Sequence, residues 1–318
     1  MADRAWIRDL KPGTDVEETY VVRSRDIRQR RGGGQFLFGS LGDRTGEVAA
    51  LVWENVDAVA DILAPGQVVR IRGQVQKYNS RLQIVVRRAE AVAPGDVDDE
   101  CFVRASSVDV EQLWSEFMAF IDGMADPHLK QLLFRIFADE EVVRSFKVAP
   151  AARSMHHAFR SGLLEHTVSV AKIGQMLARH YGLNESLVIA GILLHDFGKI
   201  WELEAEASIE YTDDGRLIGH ISMQAMYVDR IIAEMPSFPH EHRRQLIHIL
   251  LAHHGKYEYG SPRRPKTLEA MLVHLVDTMD SRMAGMQEAI DAGADSDLAW
   301  SDFSRMLERH VYRRKLED

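Results

Sequence analysis

The first 93 residues carry five short runs in which apolar and polar positions tend to alternate. The runs are rich in Val, Ile, Phe and Thr, and Gly and Asp residues separate several of them, as is typical of strands. They read DVEETYVVRSRDI, QFLFGSLGD, GEVAALVW, QVVRIRGQVQKY and RLQIVVRRAEAV. Between the third and fourth runs, ENVDAVADILAPG repeats apolar residues at helical spacing until Pro65 and Gly66. The pattern predicts three strands, a short helix and two strands.

Helical spacing takes over after a linker. Pro94, Gly95 and four acidic residues interrupt the pattern in APGDVDDE, so we place the linker at residues 94–105. Beyond it, VEQLWSEFMAFI and PHLKQLLFRIF repeat apolar residues at helical intervals. We expect a multidomain α and β protein. A small N-terminal β-barrel with the element order of an OB-fold would occupy residues 1–93, and an all-α domain would occupy residues 106–318.

Two later segments carry further structural signals. SIEYTDDGRLIGHIS predicts a short β-hairpin insertion that turns at Asp213, Asp214 and Gly215 and then delivers His220. The Met-rich, charged end of the chain, from Met279 onward, predicts a helical end. That end could support a homo-oligomer or pack within one chain, and the sequence leaves both open.

Composition narrows the class of protein. A chain of 318 residues with 46% hydrophobic content exceeds one typical domain and can bury a substantial core. No apolar run reaches membrane-spanning length and the charged start MADRAWIRDL lacks a signal-peptide core, so we expect no membrane partner and no export. Cys101 is the only cysteine, which excludes an intrachain disulfide and cysteine-cluster metal sites and favours a reducing cytoplasm.

Charge is divided unevenly along the chain. The formal net charge is −9, yet residues 1–93 carry 15 Lys and Arg against 12 Asp and Glu, a charge of +3. The remainder carries 24 against 36, a charge of −12. Because polyanion binding needs local positive charge rather than a basic average, the front module is the part that favours nucleic acid.

The helical part holds a set of His and Asp residues that predicts a metal site. The set is His166, His195, Asp196, His220, His253, His254 and Asp277. Adjacent helical side chains diverge by about 100°, so neighbouring ligands serve two ions more readily than one. Mixed nitrogen and oxygen ligands favour Mn²⁺, Fe²⁺, Co²⁺, Ni²⁺ or Zn²⁺ over Ca²⁺. Two ions roughly 3.5 to 4 Å apart are a known solution for phosphoester hydrolysis, which makes phosphoryl chemistry the leading hypothesis.

Lys199 follows His195 by four residues, one helical turn if the helix persists. Its ammonium could then reach a phosphate oxygen at the metal site. The alternative is a solvated lysine after a helix end at Gly198.

The order His, His-Asp, His, His-His, Asp, with HDFGK in the middle, resembles that of the HD-domain metal-dependent phosphohydrolases over roughly residues 150–290. GLLEHTVSVAKI, LLHDFGKIWEL, YTDDGRLIGHI and LAHHGKYEYGSPRRPKTLEAMLVHLVD are similar to one branch, the YhaM-type 3′-5′ exoribonucleases. The resemblance implies an N-terminal OB-fold joined to an HD domain, and an enzyme that uses two divalent ions, with Mn²⁺ as the first choice.

Residue roles follow from this resemblance. The core ligands that it implies are His166, His195, Asp196 and Asp277. Asp196 would be shared between two ions, and we assign catalytic roles to Asp196 and Lys199. His220, His253 and His254 would complete the second ion's shell, with His253 the firmer ligand of the adjacent pair.

One departure bears on the substrate. The HD branch that cleaves cyclic dinucleotides carries a Gly-Tyr-Pro signature after a similar double histidine. This chain instead has Tyr259, Gly260, Ser261 and Pro262, which weighs against a cyclic dinucleotide.

Basic and aromatic residues are candidates for contact with the strand. OB-folds track the phosphate backbone with basic side chains and stack bases on aromatic rings. The candidates in the front module are Arg23, Arg25, Arg28, Arg30, Arg31, Phe36, Phe38, Lys77, Tyr78, Arg81, Arg87 and Arg88. Phe36 and Phe38 alternate on one strand and could instead both point into a barrel. RQRRGGGQF lacks the Gly-Lys-Ser/Thr ending of a phosphate-binding loop and predicts a flexible, basic hairpin tip.

A second group of candidates follows the double histidine, in GKYEYGSPRRPK. The members are Lys256, Tyr257, Tyr259, Arg263, Arg264 and Lys266. They could grip a terminal nucleotide, and the alternative is a solvent-facing loop.

The sequence therefore predicts hydrolysis of single-stranded RNA, with single-stranded DNA as an additional candidate substrate, from the 3′ end to nucleoside 5′-monophosphates. The direction is implied by the resemblance alone. The alternatives are a nucleotide phosphohydrolase or a cyclic-dinucleotide phosphodiesterase with a regulatory OB module, and a nucleic-acid-binding protein with a structural metal site. Lys199 and the mixed ligand set argue against the last.

Overall fold

The chain divides into two compact units, Met1–Ala105 with Ala205–Glu210 and Ser106–Glu204 with Tyr211–Asp318. The computed structural model describes residues 4–30, 33–79, 81–93, 96–98, 101–102, 108–152, 159–205, 208–291, 298–304 and 306–314. Arg31 and much of the predicted linker lie outside the described residues.

The first unit is built on a closed five-stranded barrel. Its strands are β1 (Asp15–Gln29), β2 (Gln35–Asp43), β3 (Gly46–Val52), β4 (Val68–Tyr78) and β5 (Arg81–Ala91). They pair in the order β1-β2-β3-β5-β4, and β4 closes the barrel by pairing with β1. Only β3 and β5 run parallel. A short helix, α1 (Val56–Ala60), connects β3 to β4, so the predicted OB-fold is confirmed.

The barrel interior is filled by alternate strand residues. Tyr20, Leu37, Ile71 and Ile84 are among its fully buried members. Because strand side chains alternate between faces, the neighbours of Leu37 point the other way. Phe36 is one of these neighbours, is only half-buried and is not part of the barrel core.

The second unit is helical. Its helices are α2 (Val110–Asp122), α3 (Pro127–Ile136), α4 (Glu140–Val148), α5 (Gly162–Tyr181), α6 (Glu185–Leu194), α7 (Lys199–Glu202), α8 (Asp213–Leu217), α9 (His220–Ala233), α10 (His240–Ala252) and α11 (Leu268–Asp291). Within the described residues, none is long and apolar enough to cross a membrane. Helix α6 is apolar on every side and buried from Ser186 to Leu194, as expected of a central helix. The residues that directly follow α6 in the sequence therefore also lie in the interior of this unit.

The hairpin insertion exists, but its predicted turn is in the wrong place. The two short strands are β6 (Leu203–Ala205) and β7 (Ile209–Tyr211), and residues 206–207 between them lie outside the described chain. Asp213, Asp214 and Gly215 instead begin α8. The Thr212 hydroxyl accepts a hydrogen bond from the Gly215 amide at 2.9 Å, and two acidic residues occupy the first turn. N-capping and the helix dipole therefore favour a helix here over a hairpin turn.

The prediction of a helical end holds up to Asp291, the end of α11, and is wrong for the described residues from 298 onward. Beyond the undescribed residues 292–297, bridges join Trp300 to Tyr312 and Ser304 to Arg309. The Ser301 hydroxyl accepts a hydrogen bond from the Val311 amide at 2.8 Å, a partner that a continuous helix could not offer. The described part of this segment is therefore a reversed, extended chain.

Candidate metal centre

Five helices bring the predicted metal ligands together inside the second unit. Helix α5 carries His166, and α11 carries Asp277. The buried end of α6 delivers His195 and Asp196, α9 begins at His220, and α10 ends next to the double histidine. The seven predicted ligands are thus gathered from segments up to 111 positions apart in the sequence.

The Asp196 carboxylate lies between two groups of imidazoles. Its Oδ2 atom faces Nε2 of His195 at 3.4 Å and Nε2 of His166 at 3.8 Å. Its Oδ1 atom faces Nε2 of His220 at 3.5 Å and Nε2 of His253 at 3.6 Å. One carboxylate is therefore positioned to belong to two sites at once.

Both sites have further donors. We call the group around His166 and His195 the first side of the centre, and the group around His220 and His253 the second side. Asp277 Oδ1 lies 3.3 Å from His166 Nε2, on the first side. On the second side, the ligand atoms of Asp196, His220, His253 and His254 all lie within 4.8 Å of one another. The first side thus combines two imidazoles with two carboxylates, and the second combines three imidazoles with the shared carboxylate.

All five imidazoles are held in the same way, through Nδ1. The carboxylate partners of Nδ1 are Asp280 for His166, at 2.8 Å, and Glu202 for His220, at 2.8 Å. The carbonyl partners are Ile192 for His195 at 2.7 Å, Leu250 for His253 at 2.8 Å and Tyr259 for His254 at 2.8 Å. An imidazole that donates from Nδ1 presents an Nε2 lone pair, which is the arrangement of a metal ligand.

Unpaired buried atoms show that a cation fits this centre. Among the described residues, Asp196 Oδ1, His220 Nε2 and His253 Nε2 are buried and have no hydrogen-bond partner. Leaving such atoms unpaired costs free energy, and native structures rarely do so. A divalent transition metal would satisfy all three, because nitrogen and oxygen donors of this kind are its usual ligands.

The centre keeps an anion beside a cation. Burial alone would raise the pKa of Asp196, but the positive charge of Lys199, together with the adjacent His195 imidazole, outweighs it and holds that pKa well below its usual range. Burial alone would lower the pKa of Lys199, but Asp196 raises it above its ordinary value. The two groups meet at 2.6 Å, between Nζ and Oδ2. Helix α6 ends at Leu194 and Lys199 begins α7, so the continuous helix assumed in the prediction for Lys199 is not found. Its ammonium nevertheless reaches the centre, where it contacts Asp196.

The glycine of HDFGK is required by close packing. A Cβ atom at Gly198 would collide with the carbonyl oxygen of His220. Gln224, fully buried, accepts a hydrogen bond from the Gly198 amide at 3.0 Å and donates one to the His195 carbonyl. These contacts fix the turn that carries His195 and Asp196.

Sequence reasoning missed the two carboxylates behind the histidines. Asp280 follows Asp277 by three residues on α11, so helical spacing could have suggested it. Glu202 stands within the quoted string LLHDFGKIWEL, but nothing in its spacing indicates that it meets His220. It also accepts the His220 amide at 2.9 Å, which positions that residue at the start of α9.

Glu202→Gln and Asp280→Asn are expected to weaken metal binding about 10- to 100-fold each, because a carboxylate behind a ligating imidazole fixes its tautomer and raises its basicity. The measurement is a titration of metal-stripped protein with Mn²⁺. Asp229→Asn, which alters a half-buried pair with Arg243 away from the centre, is the matched control and should bind as the wild type does. Unchanged affinity in both test variants would show that these carboxylates have no such role.

Metal binding is also expected to strengthen as the pH rises towards 9. Burial alone would lower the pKa of His166, but Asp277 and Asp280 raise it to about 9 in the metal-free protein. Below that pH an ion must displace a proton, so affinity should increase about tenfold per pH unit up to pH 9. Calorimetric titration in buffers of different ionisation enthalpy measures the proton release. An affinity that does not change with pH would contradict this expectation.

The first unit has an aromatic surface on β2 and β3. Phe36 stacks on Trp53, with ring centroids 5.0 Å apart and planes at 25°. The Arg30 guanidinium lies 5.0 Å from the Trp53 ring, and that of Arg28 lies 4.6 Å from Phe38. Trp53, 42% exposed, was not among the predicted residues. A Trp at the end of a strand-like run was the available signal.

The other predicted strand-binding residues of the first unit lie away from this aromatic surface or are paired with other groups. Lys77, Tyr78 and Arg81 lie at the turn between β4 and β5, where the Tyr78 ring is 65% exposed. Arg25 donates to the Ala60 carbonyl, and Arg23 is directed inward, donating to the Phe102 carbonyl at 2.6 Å. Arg87 and Arg88 form surface pairs with Asp15 and Glu90. The β2–β3 face and the turns that flank it are where OB-folds bind oligonucleotides.

Comparisons with known proteins identify a known domain family in each of the two units. Residues 163–282 match the family model of the HD domain, and residues 20–92 match that of an OB-fold nucleic acid binding domain. The chain is 32% identical to 3′-5′ exoribonuclease YhaM of Listeria innocua over 287 residues, 89% of this chain and 90% of the relative. It is 30% identical to 3′-5′ exoribonuclease YhaM of Bacillus subtilis over 281 residues, 88% of each chain.

Solved structures were matched as well. The second OB-fold domain of replication protein A from Methanococcus maripaludis is similar at 21% identity and a TM-score of 0.24, covering 29% of this chain and 98% of that one.

Proposed function

Since the chain belongs to the YhaM family of 3′-5′ exoribonucleases, we propose that it is a metal-dependent phosphodiesterase that degrades single-stranded RNA from the 3′ end. Its products would be nucleoside 5′-monophosphates. The observation that carries the proposal is the Asp196 carboxylate, with one oxygen turned to each of two histidine groups. A centre of this kind suits a reaction in which two neighbouring cations act on one phosphodiester.

The residues of the centre would have separate roles in the reaction. When bound, a pair of divalent ions supplies an activated water and neutralises charge on the phosphodiester. Asp196, which faces both groups of imidazoles, would keep the two metal sites at a fixed spacing. The Nδ1 hydrogen bonds keep the Nε2 atom of each imidazole directed into the centre. Lys199, whose side chain is 15% exposed, offers its ammonium to a phosphate oxygen at the same place. Hydrolysis breaks the bond between phosphorus and the 3′ oxygen, so the shortened strand keeps a 3′ hydroxyl.

The OB-fold unit supports a single-stranded substrate. Unpaired bases can stack on the exposed Trp53 ring and on Phe36, whereas a duplex hides its bases. Because the unit is joined covalently to the HD domain, it would raise the local concentration of bound strand at the centre. Arg28 and Arg30, which already lie against aromatic rings, supply positive charge for the phosphate backbone.

A substrate panel tests the proposal. Metal-stripped protein reloaded with Mn²⁺ is incubated with 5′-end-labelled single-stranded RNA, single-stranded DNA, blunt duplex RNA, nucleoside triphosphates and a cyclic dinucleotide. We expect the single-stranded RNA to shorten by single nucleotides while the duplex persists. Cleavage of free or cyclic nucleotides with intact RNA would refute the proposal and favour a nucleotide phosphohydrolase or a cyclic-dinucleotide phosphodiesterase.

Trp53→Ala and Phe36→Ala are each expected to raise KM for single-stranded RNA about tenfold and to leave kcat within about twofold, because a stacked base contributes about 1 to 3 kcal/mol. Steady-state kinetics measure the effect, and Trp53→Phe, which keeps an aromatic ring, should restore most of the affinity. An unchanged KM in both alanine variants would remove these rings from the strand's path.

A further inference from the structure

The loop after the double histidine, residues 255–266, displays two exposed aromatic rings. Tyr257 is 55% exposed and Tyr259 is 56% exposed. Each ring has a cation against it: the Arg264 guanidinium lies 5.0 Å from the Tyr257 ring, and the Lys256 ammonium lies 5.4 Å from the Tyr259 ring. Exposed rings interleaved with cations are the usual surface for unpaired bases and their phosphates.

Several hydrogen bonds fix the backbone of this loop. The Gly260 amide donates to the Tyr257 carbonyl at 3.0 Å, and the Ser261 amide donates to the Lys256 carbonyl at 3.2 Å. The buried Ser261 hydroxyl contacts the carbonyl oxygens of Leu251 at 3.1 Å and Arg263 at 2.7 Å. The two tyrosines are therefore held outward by an ordered turn, which lowers the entropy cost of binding a ligand on them.

The same loop is joined to the metal centre. The Tyr259 carbonyl accepts the hydrogen bond from Nδ1 of His254 at 2.8 Å. His254 is the one imidazole of the five that is not buried, so the centre approaches solvent where the tyrosine loop begins. A substrate phosphate entering on this side would have its neighbouring base beside the loop.

The charge of the loop favours a polyanion over a protein partner of mixed charge. Lys256, Arg263, Arg264 and Lys266 are exposed, against one acidic residue, Glu258. This positive patch stands in a part of the chain that carries 24 basic and 36 acidic residues from position 94 onward. Local positive charge on an acidic body marks the place where a nucleic acid would approach.

We propose that Tyr257 and Tyr259 form a stacking site for the 3′-terminal bases of single-stranded RNA, with Lys256 and Arg264 on the adjoining phosphates. The inference rests on the proposed function and adds the residues that hold the strand's end. Tyr257 is the sharper test of the two, because its contacts do not include a candidate ligand. The ring of Tyr259 would contact the RNA strand, whereas its backbone carbonyl accepts the hydrogen bond from His254.

The test compares Tyr257→Ala and Tyr259→Ala with the matching Phe variants. Each alanine variant should raise KM for single-stranded RNA and the inhibition constant of the product nucleoside 5′-monophosphate by at least about fivefold. The kcat value should change by less than twofold or so, bound Mn²⁺ should be unchanged, and the Phe variants should behave like the wild type. Tyr181→Ala, which removes a ring that is 65% exposed at the end of α5, is the matched control and should have no effect.

Two results would overturn the inference while the proposed function stands. One is wild-type KM and product inhibition in Tyr257→Ala, with RNA still degraded, which would leave the surface for a protein partner. The other is a parallel loss of kcat and bound Mn²⁺ that Phe does not restore, which would mean that the tyrosines only support the fold. Failure of the wild type to degrade RNA would instead refute the proposed function, and this inference with it.

Discussion

Replacement of Asp196 by Asn should abolish RNA hydrolysis and lower metal content, with kcat falling about 10⁴-fold. Among the described residues, this carboxylate is the one side chain whose two oxygens face both groups of imidazoles, at 3.4 Å to His195 and 3.5 Å to His220. An amide keeps the shape, but it removes the negative charge that both sites share and replaces one oxygen by an NH₂ group that cannot ligate a cation. The loss should therefore affect both ions together, unlike the loss of any single histidine.

The measurement is elemental analysis of purified variants alongside single-turnover kinetics. Asp122→Asn, on the exposed end of α2, removes a carboxylate from the same unit and should leave both quantities unchanged. Retention of two ions and of activity in Asp196→Asn would contradict the assignment of a shared ligand.

Lys199→Met should lower kcat about 10²- to 10³-fold, the loss typical of removing one preorganised hydrogen-bond donor from a reacting centre. Its ammonium meets Asp196 Oδ2 at 2.6 Å, and Asp196 keeps the pKa of Lys199 above its ordinary value against the opposing effect of burial. The positive charge is therefore present at any physiological pH. Met fills a similar volume and removes only that charge, so bound Mn²⁺ should persist.

Single-turnover rates at saturating RNA separate this effect from weaker binding. Lys172→Met, which removes an exposed ammonium paired with Glu116, is the matched control. A Lys199→Met variant with a wild-type rate would show that Lys199 only balances the charge of Asp196 and takes no part with the phosphate.

The barrel, and the gathering of the seven His and Asp side chains at one place, could be predicted from the sequence because their signals are local or carried by specific motifs. Alternating runs gave the five strands, and HDFGK with its outlying histidines marked the centre. The carboxylate partners of those histidines were harder to predict, since Glu202 and His220 are 18 positions apart in the sequence, with the two short strands and α8 between them. The turn at Asp213 was misplaced because Thr212 caps a helix there. The end of the chain was misjudged because Ser301 and Val311 pair across a reversal that helical periodicity does not reveal.

The direction of cleavage tests the account most directly. Single-stranded RNA labelled at its 3′-terminal nucleotide and the same RNA labelled at its 5′ end are digested in parallel by Mn²⁺-loaded protein, with Asp196→Asn as the inactive control. We predict that the 3′ label appears at once as a nucleoside 5′-monophosphate, while the 5′ label stays on a strand that shortens steadily. Early release of the 5′ label, internal fragments, or an active Asp196→Asn protein would contradict a 3′-5′ exoribonuclease built on this centre.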